Sequence, residues 1–406
     1  MPLLRNWRKK PVTKNSEKRV PALRFKGFTN DWEQRKFENL VSRLSKTSNN
    51  ESLPNVTYDD IKSRENSLNK DITKLTHGKK GIHFNKDDIL FGKLRPYLGN
   101  ILLARFNGIA VGDFWVLSPK DNNISSFLFD LIQTSKYKYI SNLSSGSKMP
   151  RSDWNLVSKA SFWVPIQQEQ NKIGKIFQLI DNLVSLQQRK LRQLNFIRQG
   201  LTQNLFPDKD KIKPKVQFKG YKENWKITKA KNIFTEVDVR ELPDRVILST
   251  TQTGKVVTRS SLGRNLLFSK DKLKNYKLVL PGQFIIHLRS FKGGFATSEL
   301  SGIVSPTYTI FDFKDRKQND SNFWSILFTH YNFIQSLKSI TEGIRYNGVT
   351  IKFNQFADLK ITYPDLEIQS RLSQLIQCLD ADIKKQKLKI QKFKKVKQFL
   401  LQNMFI

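Results

Sequence analysis

The sequence is poor in the residues that build disulfides and metal sites. Its 406 residues include a single cysteine, Cys378, and four histidines, His77, His83, His287 and His330. One cysteine cannot form a disulfide framework within the chain, and the scattered histidines have no metal-ligand spacing. We therefore expect no metal bound by this chain.

The sequence also lacks any long hydrophobic run. No apolar stretch approaches the roughly 18 residues of a membrane span, and the first residues have no apolar core of the kind found in secretory signals. From this we expect no membrane partner and a cytoplasmic location.

Acidic residues are scarce relative to basic ones. Aspartate and glutamate total 35 against 71 lysines and arginines, which gives a formal net charge of +36. Such self-repulsion does not stabilise a solitary protein, so a polyanionic partner is implied. Nucleic acid is the first candidate, because cationic side chains release the counterions condensed on phosphates, and an anionic membrane is the second. Hydrophobic residues, at 38%, are sufficient for folded cores.

What the sequence does contain is a long internal repeat. Residues 25–32 read Phe-Lys-Gly-Phe-Thr-Asn-Asp-Trp, and residues 218–225 read Phe-Lys-Gly-Tyr-Lys-Glu-Asn-Trp. Later, residues 165–170 share the pattern Pro-x-x-x-x-Gln with residues 364–369. The chain thus contains an internal duplication, and the middle parts of the two copies have diverged.

Each copy ends in a segment with heptad spacing, where apolar residues recur at alternating steps of four and three. Its central seam positions are Ile180, Val184, Gln187, Leu191 and Leu194 in the first copy, and Leu379, Ile383, Gln386, Ile390 and Phe393 in the second. This spacing predicts two long helices that pair as a coiled coil. In an antiparallel pair the two glutamines meet at the centre, where a hydrogen bond would fix the register. The alternative is that each helix packs only against its own domain.

These patterns predict an α+β fold with pseudo-twofold symmetry. Two homologous mixed α/β domains are separated by two long helices that pair as a coiled coil. The predicted segments are a basic extension (1–20), a first domain (21–164), a central helix (165–206), a second domain (207–363) and a C-terminal helix (364–406). Two basic domains held apart by a rigid helical spacer suit two half-sites on duplex DNA, and their divergence predicts an asymmetric target.

The doubled order of domain and helix resembles the specificity subunits of type I restriction-modification systems. The Phe-x-Gly elements at residues 25–32 and 218–225 are similar to the start of their target recognition domains, and the Pro-x-x-x-x-Gln elements are similar to the start of their helices. The resemblance covers nearly the whole chain after about residue 20. It implies that the two long helices form an antiparallel coiled coil between the two domains. It also implies a non-catalytic subunit that recognises an asymmetric bipartite DNA sequence and directs adenine methylation or cleavage by other subunits.

The resemblance also implies the partners and cofactors. The partners are double-stranded DNA, two methyltransferase subunits and two translocase-nuclease subunits, which use S-adenosylmethionine, ATP and magnesium. This chain itself has no adjacent prolines, and hence no Asn-Pro-Pro-Tyr or Asp-Pro-Pro-Tyr methyltransferase signature, and no Walker loop. We expect it to bind no cofactor and to contain no catalytic residues.

Cationic, aromatic and small polar residues are the candidate DNA contacts, because arginine reads guanine, asparagine reads adenine, and small or cationic side chains bind phosphates. In the first domain they are Lys93, Arg95, Tyr97, Arg105, Ser147, Lys148 and Arg151. In the second they are Lys255, Arg259, Arg264, Arg289, Lys292, Arg345, Tyr346 and Asn347. For any single residue, an ordinary solvated surface position is an equal alternative.

Two other functions fit the charge. A free-standing bipartite DNA-binding regulator would need no methyltransferase partner, and a single-strand or RNA-binding scaffold would prefer unpaired nucleic acid. A specificity subunit instead purifies with two copies of a methyltransferase and binds duplex DNA. We also expect the gap between half-sites to change when residues are added to or deleted from one helix.

Overall fold

The structure is a computed structural model. It describes the chain except residues 1–6, 10–19, 144–148, 209–210, 222, 252–254, 263–268, 288–289 and 340–350. The chain divides into two compact units, Met1–Arg189 with Lys387–Ile406, and Lys190–Gln386. Each unit therefore contains one domain and one part of each long helix.

The strands of the first unit are short. They are β1 (Trp7–Lys9), β2 (Leu23–Phe25), β3 (Glu33–Lys36), β4 (Val41–Leu44), β5 (Thr47–Ser48), β6 (Asn55–Val56), β7 (Ile61–Lys62), β8 (Ser67–Leu68), β9 (Gly81–Phe84), β10 (Ile89–Gly92), β11 (Ile101–Leu103), β12 (Gly108–Ala110), β13 (Phe114–Pro119) and β14 (Ser161–Val164). Two four-stranded sheets, with orders β11-β10-β13-β4 and β5-β9-β12-β6, form its centre, and β1-β2, β7-β8 and β14-β3 are two-stranded.

The described residues of the second unit contain fewer strands. They are β15 (Lys226–Lys229), β16 (Phe234–Val237), β17 (Leu248–Thr250), β18 (Val256–Thr258), β19 (Lys277–Val279), β20 (Phe284–Ile286), β21 (Ala296–Thr297), β22 (Gly302–Val304), β23 (Thr309–Phe313) and β24 (Lys360–Tyr363). Its main sheet has the order β16-β23-β20-β21, and the other strands form the pairs β15-β24, β17-β18 and β19-β22.

In the described residues, eight short α-helices accompany two long ones. They are α1 (Ser125–Leu131), α2 (Ser135–Asn142), α3 (Trp154–Lys159), α4 (Gln167–Leu205), α5 (Lys270–Lys274), α6 (Ser290–Gly293), α7 (Ser321–Phe328), α8 (Tyr331–Ser339), α9 (Phe353–Ala357) and α10 (Leu366–Asn403). Helix α4 crosses the unit division after Arg189 and α10 crosses it after Gln386. The five predicted segments remain a prediction. In the folded chain, each domain forms a compact unit with parts of both long helices.

The central strand of the first domain is buried on both faces. Ile89 and Phe91 belong to one apolar core, while Leu90 and its neighbour Val116 belong to another on the opposite face of the sheet. This division follows from the two-residue period of a strand, whose successive side chains point to opposite faces. The sheet is thereby fixed between two cores, and its polar strand ends are left for the surface.

The Pro-x-x-x-x-Gln element joins each long helix to its preceding domain. The Gln170 side chain accepts a hydrogen bond from the Ile124 backbone N–H at 3.0 Å and donates one to the Pro165 carbonyl at 3.0 Å. Gln369 repeats this with the Asp320 N–H at 2.9 Å and the Pro364 carbonyl at 3.0 Å. The repeated motif thus satisfies backbone groups near the starts of the long helix and of the short helix beside it.

The far end of each long helix completes the core of the other domain. In the first unit, Phe405 of the C-terminal segment stacks on Phe127 at a ring distance of 5.4 Å and meets Trp32 edge-on at 6.4 Å. In the second unit, Phe206 stacks on Phe323 at 5.8 Å and meets Trp225 at 5.7 Å. The tryptophan of each Phe-x-Gly element therefore packs against the phenylalanine that ends a helix beginning in the other unit.

Within each unit the two helices run antiparallel. In the first unit, the Lys397 Nζ lies 2.7 Å from an Asp181 carboxylate oxygen, and Phe177 packs near Phe405. In the second, the Arg198 guanidinium binds the Asp380 carboxylate, with one contact at 3.1 Å. Both acids and both cations occupy the same positions of the repeat, 199 residues apart.

The heptad seam is buried or half-buried at all predicted positions. Ile180, Gln187, Ile383, Gln386 and Ile390 are buried, and Val184, Leu191, Leu194, Leu379 and Phe393 are half-buried. The predicted fold class, two mixed α/β domains with two long helices, is confirmed. The alternative in which each helix packs only on its own domain is wrong, because Phe405 and Phe206 enter the core of the opposite repeat. The glutamine–glutamine hydrogen bond stays a prediction.

Truncating Phe405 tests this exchange of helix ends. Phe405→Ala should destabilise the first unit by about 3–5 kcal/mol, because it removes a buried ring from between two aromatic partners. Phe399→Ala is the matched control, since Phe399 is 51% exposed on the same helix, and it should change stability by less than about 0.5 kcal/mol. Urea unfolding measures both, and equal effects of the two substitutions would contradict the packing.

One acid of the first unit lies inside the protein without a cation bound to it. Asp130 of α1 is 2% exposed and accepts a hydrogen bond from the Gln133 amide at 3.3 Å. It lines a cavity of about 610 Å³ beside α4 and α10. Burial raises the pKa of the Asp130 carboxyl well above its usual range, and nearby Lys397 only partly opposes the shift. The equivalent position of the second domain is Ile326, three residues after Phe323.

The raised pKa predicts a pH dependence of stability. The folded state keeps a proton that the unfolded carboxyl loses near pH 4, so stability of the first unit falls as the pH rises from about 4 toward the folded-state pKa. Asp130→Asn should remove this fall. The control Asp71→Asn should leave it in place, since the pKa of exposed Asp71 is lowered by hydrogen bonds from Thr73. Unfolding curves across pH 4–9 measure it, and an unchanged slope in Asp130→Asn would refute the assignment.

Candidate nucleic-acid interface

The candidate interface of the first domain lies at one end of its main sheet. Strand β10 ends at Gly92 where β13 begins at Phe114, because these two residues are paired in register. The next residues on each side, Lys93 and Asp113, stay adjacent, and the Lys93 N–H donates to the Asp113 carbonyl at 2.9 Å. The antiparallel pairing therefore places a cation and an acid together at the exposed edge.

A second segment joins this edge from 58 residues further along. Leu94 and Arg151 form an isolated antiparallel bridge. The Arg95 N–H donates to the Pro150 carbonyl at 2.7 Å, and the Ser152 N–H donates to the Lys93 carbonyl at 2.9 Å. Two segments that the sequence singled out separately, around residues 95 and 151, thus form one surface.

Asp113 organises the cations of this surface. Its carboxylate lies 3.5 Å from the Lys93 Nζ and accepts hydrogen bonds from the Arg151 guanidinium at 3.0 and 3.2 Å. These groups are partly exposed, so the pairs contribute little stability. Their main effect is to hold two cations in place and to offset part of their charge.

Tyr58 links the same loops through hydrogen bonds of its hydroxyl. Its phenol donates to the Asp113 carbonyl at 2.6 Å and accepts from the Leu94 N–H at 3.1 Å. Its ring meets Phe114 edge-on at 4.6 Å. Burial raises the pKa of the Tyr58 phenol to about 12, so the hydroxyl proton is retained at neutral pH.

Arg95 differs from its cationic neighbours. Its backbone is in the left-handed region, with φ of 49° and ψ of 59°, which costs a non-glycine residue about 1–2 kcal/mol. Its side chain is exposed and, among the described residues, has no acidic partner. Tyr97, two residues on, is 51% exposed. Strained backbone with free polar and aromatic side chains is typical of binding sites.

The remaining predicted residues of this domain lie apart or outside the described residues. Arg105 follows β11 and pairs with Asp87 at 3.5 Å, beyond the opposite end of β10. The β10–β11 hairpin carries it away from Lys93 although only twelve residues separate them. Ser147 and Lys148 lie outside the described residues.

The second domain is described only in part at the corresponding edge. Lys255 is exposed, and the Arg259 guanidinium donates to the Tyr276 hydroxyl at 3.4 Å. Lys292 lies in helix α6. Arg264, Arg289, Arg345, Tyr346 and Asn347 fall outside the described residues.

The corresponding edges of the two domains have different chemistry. After β20, the His287 N–H donates to the Ser290 hydroxyl at 2.8 Å, and before β23, the Tyr308 hydroxyl accepts from Thr250 at 3.2 Å. Tyr308 stands where the first domain has Asp113, directly before the paired strand. Equal folds therefore present unequal side chains at equivalent places.

Sequence reasoning missed Tyr58 and Asp113. Asp113 could have been found from its place between Gly112 and a buried strand, where a polar residue marks a strand end. Tyr58 had no local signal, because it reaches Leu94 and Asp113 only through the fold.

Within the described ranges, no group of three or more histidine, cysteine, aspartate or glutamate side chains could hold a metal ion. None of the helices described is both long and apolar enough to cross a bilayer.

Known proteins share both the sequence pattern and the fold. Residues 29–196 match the family model of the type I restriction modification DNA specificity domain. The chain is 27% identical over 201 residues to the HindI specificity subunit of Haemophilus influenzae, covering 46% of this chain and 43% of that protein. It is 24% identical over 339 residues to the MjaVIII specificity subunit of Methanocaldococcus jannaschii, covering 78% of each. The match thus spans less than half of the Haemophilus protein's length.

A solved structure agrees over almost the full length. The type I restriction-modification S subunit from M. genitalium superposes with a TM-score of 0.60 at 10% identity, covering 95% of this chain and 99% of that one. At this identity the likeness concerns the fold alone. The fold defines a class of proteins in which two repeated α/β domains share two long antiparallel helices.

The resemblance found in the sequence is confirmed by the family model and the curated relatives. By sequence the chain is similar to type I restriction-modification specificity subunits.

The Tyr58 contacts predict a local effect of removing one oxygen atom. Tyr58→Phe should leave the Leu94 N–H and the Asp113 carbonyl without this partner and cost about 1–3 kcal/mol. Hydrogen exchange at the Leu94 amide should become faster. Tyr97→Phe is the control, because the exposed Tyr97 hydroxyl makes no such link, and equal protection of Leu94 in both variants would contradict the assignment.

Proposed function

We propose that this chain is the DNA-reading subunit of a type I restriction-modification complex. It binds an asymmetric bipartite sequence in double-stranded DNA and directs adenine methylation or cleavage by its partners. The observation that supports this most is the duplicated unit: two domains of one fold carry different side chains at equivalent sheet edges. Equal folds dock alike on two half-sites, and unequal side chains select different bases.

The chain's own role in this proposal is recognition without catalysis. The chemistry belongs to two methyltransferase subunits using S-adenosylmethionine and two translocase-nuclease subunits using ATP and magnesium, in the cytoplasm. The names of the relatives, all specificity subunits, support a non-catalytic role. The net charge of +36 supports a duplex partner, because phosphate neutralisation supplies much of the affinity of such proteins.

The long helices would set the gap between half-sites. Helix α4 has 39 residues and α10 has 38, so each is close to 60 Å long at about 1.5 Å per residue. Both helices contribute to both units, so the same insertion in each lengthens the spacer and keeps the two helices paired. One heptad added to both should preserve the seam.

The experiment duplicates residues 190–196 in α4 and 387–393 in α10. Each helix grows by about 10 Å, which corresponds to about three base pairs at 3.4 Å each. The chain, purified with its methyltransferase subunits, selects duplexes from a randomised library, and sequencing gives half-sites and gap. We expect two unchanged half-sites with a gap about three base pairs longer.

Other results would overturn the proposal. An altered half-site with an unchanged gap would contradict the spacer role of the helices. Duplex binding by a chain that purifies without any methyltransferase would support a free-standing regulator instead. A preference for single strands, or methyl transfer by the isolated chain, would exclude the proposed role.

A further inference from the structure

The cations at the edge of the first domain fall into two electrostatic classes. Lys93 and Arg151 share the Asp113 carboxylate, at 3.5 Å and at 3.0–3.2 Å. Arg95 lies on the same edge, is exposed, and has no acidic partner among the described residues. Paired cations must loosen an ion pair before they bind a new anion or base, whereas Arg95 keeps all its guanidinium donors available.

The backbone around Arg95 is fixed on several sides. The Arg95 N–H donates to the Pro150 carbonyl at 2.7 Å, and its carbonyl accepts from the Leu98 N–H at 2.9 Å. Pro96 follows directly and limits the torsions of the preceding residue. An exposed side chain on such a constrained backbone loses less conformational entropy on binding than one on a free loop.

Two further residues, Tyr58 and Asp113, hold the segments around Arg95 and Arg151 together. The Tyr58 hydroxyl links the Leu94 N–H, next to Arg95, with the Asp113 carbonyl. The Asp113 side chain in turn binds Arg151, whose backbone bridges Leu94. Tyr58 and Asp113 therefore act on Arg95 through its neighbours rather than by contact with it.

We propose that Arg95 reads a base of the first half-site, by two hydrogen bonds to the O6 and N7 atoms of a guanine, and that Tyr58 and Asp113 are positioning residues for it. This assignment rests on the proposed DNA-reading function and adds a residue and a base to it. A planar guanidinium matches the two acceptors of guanine in the major groove, which neither adenine nor a pyrimidine presents.

The test compares Arg95→Gly with Arg105→Ala in the assembled methyltransferase complex. Glycine adopts the left-handed backbone of residue 95 without strain, so this variant removes the side chain and keeps the fold. Arg105 is another exposed cation, at the opposite end of β10 and paired with Asp87. Binding is measured on the selected duplex and on duplexes in which each guanine of the first half-site is replaced in turn by 7-deazaguanine, which lacks the N7 acceptor.

The wild type should lose about tenfold or more in affinity at one 7-deazaguanine position. Arg95→Gly should lose a similar factor on the unmodified duplex and be insensitive to that replacement, with the second half-site unchanged. Whatever its effect on overall affinity, Arg105→Ala should keep the wild-type loss of affinity at that 7-deazaguanine position. If Arg95→Gly instead weakens all duplexes alike and reduces the salt slope by about 1, Arg95 is a phosphate contact and the inference is wrong.

The positioning roles of Tyr58 and Asp113 are tested by the ratio of cognate to non-cognate affinity and by the salt dependence of binding. Tyr58→Phe should reduce the ratio of cognate to non-cognate affinity without changing the salt slope, because no charge is lost. Asp113→Asn should raise non-cognate affinity and steepen the salt slope, because Lys93 and Arg151 are released from their acid. Unchanged ratios and slopes in both variants would overturn the positioning role.

These outcomes separate this inference from the broader proposal. A wild-type complex that selects no duplex sequence refutes the proposed function itself. A wild-type complex that selects a bipartite sequence, together with an Arg95→Gly variant that selects the same one with equal affinity, refutes only the role of Arg95.

Discussion

The packing of each helix end into the opposite repeat is the contact on which the rest of the structure depends. Phe405 lies with Trp32 and Phe127, and Phe206 lies with Trp225 and Phe323. A long helix leaving a domain has an apolar stripe that must be covered, and here the far end of the other helix supplies the cover. Neither domain has a complete core without a segment that belongs, in chain order, to the other repeat.

This exchange explains why the repeat is conserved within the chain where it is and diverged elsewhere. The Phe-x-Gly element carries the tryptophan that receives the helix end, the Pro-x-x-x-x-Gln element fixes the helix start, and the seam carries acid–cation pairs at matching positions. These parts make the same packing contacts in both copies of the repeat. The sheet edges bear no part of that packing, so their side chains are free to differ, as Asp113 and Tyr308 do.

Much of the architecture could be predicted from the sequence because its signals are periodic. The four-three spacing of residues such as Ile180 and Ile383 reports helix pairing directly, and the repeat itself reports two equivalent domains. The candidate interface was only partly predictable. Composition identified Lys93, Arg95 and Arg151 as cations of one kind, whereas their separation into paired and unpaired groups depends on Asp113 and Tyr58, which reach them through sheet register and long-range hydrogen bonds. Arg105 is close to Lys93 in the sequence but not in the fold, since a hairpin places it beyond the other end of the sheet.

The central claim is that one chain presents two reading surfaces of equal fold and unequal chemistry to one duplex. The most direct measurement is a dimethyl sulfate footprint of the assembled methyltransferase complex on its selected duplex. The account predicts two protected clusters of guanines with different sequences, separated by an unprotected stretch. A single continuous protected segment, or two clusters of identical inverted sequence, would contradict it.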